Sequence, residues 1–309
     1  MKTQRVFLLI LNVLFLIACG QPGKKEATPP VAAQHEQQLI MHGDTRIDFY
    51  YWMNDRDNPE VIAYLEAEND YLKESLEHLE DNREELFEEM LGRLKQDESS
   101  APFFQNGYYY YTRYEEGGEY PIYCRKKESM EAEEEVLLNI PQMAEGYRYF
   151  NVGNFSISPD NERIAYTVDT LGRRQYTIFY KDLDTQNVHS TAIEHAAGDV
   201  EWAADNNTFF FTTIDPVTLR YIKVFRYNTD TKTPEEVYYE EDDTYYYMGV
   251  SKTTDGKYLT IDVSTTLSTE TLLLEADNPQ GSFRVFQPRQ RDLIYSVEHL
   301  DGTFYILTN

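Results

Sequence analysis

A chain of 309 residues with 41% hydrophobic content has material for one or two ordinary domains and a sizeable core. Its formal charge of −26 excludes nucleic acid and anionic membrane as partners of the body, because both demand a basic surface, and it suits a cationic ligand instead. Aromatic residues reach 14%, with 26 Tyr and 16 Phe, which fits half-buried strand faces better than helices.

Lys2 and Arg5 precede an apolar run from Val6 to Ile17, broken by Asn12, the layout of an export signal. The string Leu16-Ile17-Ala18-Cys19 resembles a bacterial lipobox, in which a small residue precedes a cysteine that is acylated on sulfur. The alternatives are an ordinary signal peptide or an uncleaved anchor, but the run is short of the ~20 residues a spanning helix needs. Residues 1–18 are therefore expected to be a lipoprotein signal peptide, Cys19 the lipidation site and 19–41 a flexible tether rich in Pro, Gly and polar residues. The expected location is the bacterial cell envelope, lipid-anchored as a periplasmic or outer-membrane lipoprotein. The remaining cysteine, Cys124, reads as a small hydrophobe in a strand, because nothing near it in sequence supplies a base.

Gly43 to Asp57 reads as irregular, with an aromatic cluster at Tyr50, Tyr51 and Trp52 that should dock elsewhere. Asn58-Pro59-Glu60 is a helix start, with a capping side chain and proline at the first helical position. Val61, Ile62, Leu65, Leu72, Leu76 and Leu79 follow at helical spacing. A second start is expected at Asp81, with Glu84 three residues on, ahead of Leu86, Phe87, Met90, Leu91 and Leu94. The many glutamates between Glu74 and Glu89 read as a solvated face, not as metal ligands.

Near Ser99-Ser100 the pattern changes from helical spacing to alternation. From there a turn followed by an alternating strand recurs. Its copies are Gln105-Asn106-Gly107, Asp160-Asn161, Asp205-Asn206-Asn207, Asp255-Gly256 and Asp301-Gly302, spaced by roughly 45–55 residues, near the period of a four-stranded propeller blade. Asn-Gly and Asp-Gly supply the positive φ of a two-residue hairpin. The last copy, through Phe304 to Thr308, reads as the second strand of a blade whose partner does not follow, so the chain is expected to be the front part of a longer protein. The fold class is mainly β: a partial propeller over 101–309, preceded by a short helical segment over 42–98.

The search for chemistry returns little. Gly-x-Ser-x-Gly, the nucleophile elbow, is absent; Gly249-Val250-Ser251-Lys252-Thr253 comes nearest but runs into a hairpin turn, which makes Ser251 a poor nucleophile. His35, His42, His78, His189, His195 and His299 contain no pair with zinc-helix spacing, no Cys-x-x-Cys occurs, and Gly117-Gly118 lacks the rest of a phosphate loop. No catalytic, metal or cofactor-binding residue is assigned.

The run from Tyr110-Tyr111-Thr112-Arg113-Tyr114-Glu115-Glu116-Gly117-Gly118 to Lys127 resembles the oligopeptidase B group of the prolyl oligopeptidase family of serine peptidases. So do Ser158-Pro159-Asp160-Asn161, Gly172-Arg173-Arg174-Gln175-Tyr176, Asp215-Pro216-Val217-Thr218-Leu219-Arg220 and Phe304 to Asn309. The resemblance implies a seven-bladed propeller over an α/β-hydrolase domain, with 42–98 the first piece of that domain and 101–309 the opening blades. It implies cleavage of short basic peptides after Arg or Lys, by a Ser, Asp and His that lie in a later α/β-hydrolase segment not contained in this chain. No cofactor is implied. The competing class is a non-catalytic peptide-binding propeller lipoprotein.

Membrane attachment should depend on Cys19, since the tether has no spanning run and the body is acidic. Cys19→Ser is expected to release the chain or stall its processing, read by membrane fractionation; unchanged fractionation and processing would contradict the lipobox reading.

Overall fold

The computed structural model describes residues 27–309, so the expected signal peptide, Cys19 and the start of the tether lie outside the described residues. The described residues divide into two compact units, one ending at Lys95 and the other running from Gln96 to Asn309.

The first unit corrects two expectations. Where a tether and an irregular stretch were expected, Gln37–Met41 (β1) and Asp44–Asp48 (β2) pair as an antiparallel hairpin. His42 and Gly43 both take positive φ in its turn, the geometry a tight hairpin requires. The aromatic cluster docks on residues just upstream: the Trp52 indole donates to the Ala33 carbonyl at 3.0 Å and meets the His35 ring edge-on. Pro59–Leu76 (α1) begins as expected, with the Asn58 side chain accepting from the Glu60 amide at 2.9 Å. The second helix, Glu80–Leu91 (α2), starts one residue early, and Asp81 sits inside its first turn instead of capping it. A 3-10 turn, Glu77–Leu79, carries the chain from one helix to the other without an extended residue, so the geometry of a side-chain cap never arises. Val61 is buried, whereas Leu65, Leu72, Leu86, Phe87 and Met90 are exposed.

The second unit is a series of antiparallel meanders. The first sheet holds Phe103–Gln105 (β3), Tyr108–Arg113 (β4), Ile122–Lys127 (β5) and Glu134–Asn139 (β6), followed by a single helical turn, Ile140–Met143. The second holds Asn151–Ile157 (β7), Arg163–Asp169 (β8), Thr177–Asp182 (β9) and Val188–Ser190 (β10). The third holds Glu201–Trp202 (β11), Thr208–Ile214 (β12), Tyr221–Asn228 (β13) and Thr233–Tyr239 (β14). The fourth holds Tyr247–Lys252 (β15), Tyr258–Ser264 (β16), Thr269–Glu275 (β17) and Arg284–Val285 (β18). The fifth has two strands among the described residues, Tyr295–Leu300 (β19) and Thr303–Thr308 (β20), so the last turn does lead into a second strand.

Alternation explains why the sheets stack. In β12, Phe209 and Phe211 pack with Trp202 toward Ala165, Ile178 and Tyr180 of the second sheet. Phe210, on the opposite face, packs with Val224 against Met248, Leu259 and Ile261 of the fourth. In β8, Ile164, Tyr166 and Val168 face Tyr110 and Leu138 of the first sheet, while Ala165 faces the third. Each fully buried large side chain contributes about 1.5–3 kcal/mol.

The repeated turns come in two kinds. At Asn106-Gly107 and Asp301-Gly302 both residues have positive φ, the expected two-residue hairpin. In the middle three sheets one residue does, Asn161, Asn206 or Gly256, within a four-residue loop closed by Ser158 N to Arg163 O, Ala203 N to Thr208 O and Thr253 N to Tyr258 O. The loop aspartate replaces the second positive-φ residue as the organiser: Asp205 Oδ1, for example, accepts from the Asn207 and Thr208 amides at 3.0 and 2.8 Å.

Asp199 ties two sheets together from a partly buried position. Its carboxylate accepts from the Thr212 amide at 3.1 Å, the Thr212 hydroxyl at 2.6 Å and the Val250 amide at 2.7 Å, the last across to β15. Burial pushes its carboxyl above the usual range, against the pull of those hydrogen bonds. Asp199→Ala orphans the Val250 and Thr212 amides, at about 1–3 kcal/mol for each buried group left unpaired. A loss of about 2–4 kcal/mol in urea unfolding is expected; an unchanged midpoint would show that the tie carries no stability.

Candidate functional site

Strands β3, β7, β11 and β15 are the first of their sheets, and their ends, with the turns that follow, surround a cavity of about 620 Å³. Phe103, Tyr110 and Phe155 line one side of it; Ser156, Glu201 and Lys252 supply its polar centre. In β11 the alternation places Trp202 in the core, fully buried with its indole donating to the Ser156 carbonyl at 3.0 Å. The neighbouring Glu201 is thereby turned to the cavity. Its Oε1 accepts from Ser156 Oγ at 2.9 Å and lies 3.0 Å from the Lys252 ammonium, so one carboxylate joins the first strands of three sheets.

Hydrogen bonds between successive repeat turns hold this rim. Asn161 donates to the Asn106 carbonyl at 3.3 Å, and the buried Arg125 reaches the Asn161 carbonyl at 3.1 Å from its place over the Tyr108 ring. The Asp160 amide donates to Asn206 Oδ1 at 2.9 Å, and Arg163 to Asn207 Oδ1 at 2.9 Å. At the fourth sheet, Asp255 Oδ2 lies 2.6 Å from Nδ1 of the buried His299, and the Thr254 amide donates to Glu298 at 2.8 Å. Burial alone would push the Asp255 carboxyl up, yet the Lys257 amide, the Thr253 hydroxyl and His299 hold it below the usual range.

The opposite end of the sheets is built differently. Gly153 and Gly198 leave space that the Tyr176 ring fills; a Cβ at either would lie 2.6 or 2.9 Å from that ring. The loops between second and third strands, and the segment leading into β15, expose Leu171, Val217, Leu219, Tyr246, Tyr247 and Leu267. The turns at one end are bonded to each other, and the loops at the other leave apolar side chains exposed among polar ones.

The residues singled out from sequence do not converge. Ser251 lies within β15, not on a strand-to-helix turn, and its hydroxyl is 2.7 Å from Thr260 Oγ1, a group that cannot act as a base. Cys124 is buried beside Tyr111 and Ile122, and burial, reinforced by Glu134, pushes its thiol up to about 11, far from a reactive thiolate. His35, His189 and His299 each sit against a separate carboxylate, Glu60, Asp182 and Asp255. Among the described residues no group of three or more His, Cys, Asp or Glu is arranged to hold a metal ion. Glu201 and Lys252 escaped the sequence reading, although Asp199-Val200-Glu201-Trp202 carries the alternation that turns Glu201 away from the core.

Comparison with known proteins gives this arrangement a family. Residues 29–309 match the model for "Prolyl oligopeptidase, N-terminal beta-propeller domain". The chain is 37% identical to dipeptidyl aminopeptidase BI of Pseudoxanthomonas mexicana, over 98% of this chain and 44% of that protein. It is 32% identical to protease 2 of Moraxella lacunata, over 91% of this chain and 42% of the relative. Oligopeptidase B from Leishmania major superposes with a TM-score of 0.80 at 27% identity, covering 92% of this chain and 43% of that one. The chain therefore spans less than half the length of these relatives. Family match, sheet order and repeat spacing agree, and the chain belongs to the prolyl oligopeptidase family through its N-terminal β-propeller domain.

Proposed function

We propose that this chain is the propeller part of a serine-type oligopeptidase that cleaves short peptides after Arg or Lys. The observation that carries the reading is the family match over residues 29–309. Two features of the chain support the choice of substrate: the formal charge of −26, which draws cationic peptides toward the surface, and a cavity lined by the carboxylates of Glu201 and Asp255. The Ser, Asp and His belong, in this reading, to an α/β-hydrolase segment outside these residues. The end of the sheets that exposes Leu171, Val217 and Tyr247 is the face such a domain would cover. Cys19 anchors the protein by lipid in the cell envelope.

The 37% identity to a protein named dipeptidyl aminopeptidase favours a second reading, removal of dipeptides from a free amino end. Both readings require recognition of a positive charge, on a side chain in one and on the α-amino group in the other.

Peptide hydrolysis by this route needs an activated serine, a base and oxyanion donors, and loss of any triad member leaves a small remnant of the rate. The 309-residue chain is therefore expected to bind a fluorogenic arginine peptide, with affinity falling as salt rises, and not to cleave it. Turnover blocked by a serine-directed covalent inhibitor that labels Ser251 would overturn the assignment.

A further inference from the structure

The cavity contains an ion pair of unequal partners. Glu201 is fixed: its strand is anchored by the buried Trp202, and Ser156 Oγ donates to it at 2.9 Å. Its counter-ion, Lys252, is a long flexible side chain at the end of β15, whose ammonium reaches across to Glu201 at 3.0 Å. Asp255, the other carboxylate of the lining, is committed to His299 and to its own turn. Both side chains are mostly buried, at 18% and 23% exposed, so another cation can take the place of the ammonium only by making the same ion pair with Glu201.

We propose that Glu201 is the carboxylate of a cation-recognising subsite, filled here by the Lys252 ammonium acting as an internal ligand and open to the positive group of a short peptide. The proposal rests on the peptide-handling reading and adds to it a recognition residue and a built-in competitor. A cavity of about 620 Å³ is large enough for a dipeptide or an arginine side chain. Phe103 and Phe155 in the same lining give a guanidinium or ammonium aromatic surface within the cavity. The shared chemistry is a cationic nitrogen. Its source is either an amino terminus or a basic side chain.

The test is peptide binding to the full chain at low salt, using an Arg-containing tetrapeptide with a free amino end and a dye at its carboxyl end. Two further probes assign the source: the N-acetylated peptide and the peptide with citrulline for arginine. Lys252→Met is expected to tighten binding by about threefold, by removing the competitor. Glu201→Gln is expected to weaken it by about tenfold, by removing the charge-assisted partner. Controls carry the same charge changes on exposed residues, Lys127→Met and Glu116→Gln, and are expected to match wild type within about twofold. The opposite signs at positions 252 and 201 distinguish a ligand subsite from a structural tie, whose loss would weaken binding in both. Should Glu201→Gln misfold, Lys252→Met decides alone: binding unchanged, weaker or equal to that of Lys127→Met overturns the subsite. Wild type that binds all probes, with variants indistinguishable from their controls, overturns the subsite and leaves the peptide reading standing. Wild type that binds none of the probes overturns both. Loss on acetylation assigns the amino end, loss with citrulline assigns the side chain, and indifference to both changes contradicts a cation subsite.

Discussion

A small twisted sheet with apolar side chains on both faces cannot cover itself, and the second unit follows from that constraint. Phe209, Phe210 and Phe211 are consecutive and all fully buried, which a lone sheet cannot achieve because alternate residues point to opposite faces. They are buried because a sheet lies on either side, so each middle sheet is both core and cover for its neighbours. The outer face of the first sheet shows the alternative, a small cluster of Tyr111, Ile122 and Cys124 closed by Met130 and Val136 from its own loop and edge strand.

Polar groups at the seams set how neighbouring sheets register. Apolar faces slide; hydrogen bonds do not. Asp199 joins the third sheet to the fourth, and Arg163 joins the second to the third through Asn206, Asn207 and Thr229. Arg289 gathers Glu240, Glu270 and the Tyr238 hydroxyl while lying over the Tyr245 ring at 4.0 Å. Burial would push the Glu240 carboxyl up, but Arg289 and Tyr238 hold it low, so this cluster supports the fold above the usual carboxylate range and weakens as pH falls through the lowered value. Removing one member of such a network would strand buried charge, which is why the ties are all-or-none. Glu201 and Lys252 differ from these ties in that they bridge the first strands of neighbouring sheets and also line the cavity.

The repeat was legible in the sequence because its turn chemistry is local: Asn106-Gly107, Asp160-Asn161, Asp205-Asn206, Asp255-Gly256 and Asp301-Gly302 all stand at the expected turn, and the second and third strands followed by alternation. The edge strands were not legible. β11 has two residues and β18 two, too short for any period to show, and both exist because a neighbour offers a hydrogen-bonding edge. The β1 to β2 hairpin was missed because its turn is His42-Gly43 and not the Asn-Gly or Asp-Gly pair that signals a two-residue hairpin. Glu201 and Lys252, 51 positions apart by number, meet only once three sheets are arranged about the cavity, so nothing local in either stretch announces the pair.

Mutual cover by neighbouring sheets is the central claim, and amide hydrogen exchange across the whole chain tests it most directly. The account expects β8 and β12, each clasped on both faces, to exchange slowest and together, with α1, α2 and β20, whose apolar side chains are mostly exposed, exchanging much faster. Protection across Val61 to Leu94 equal to that of β12, or strands of the middle sheets opening independently of one another, would contradict it.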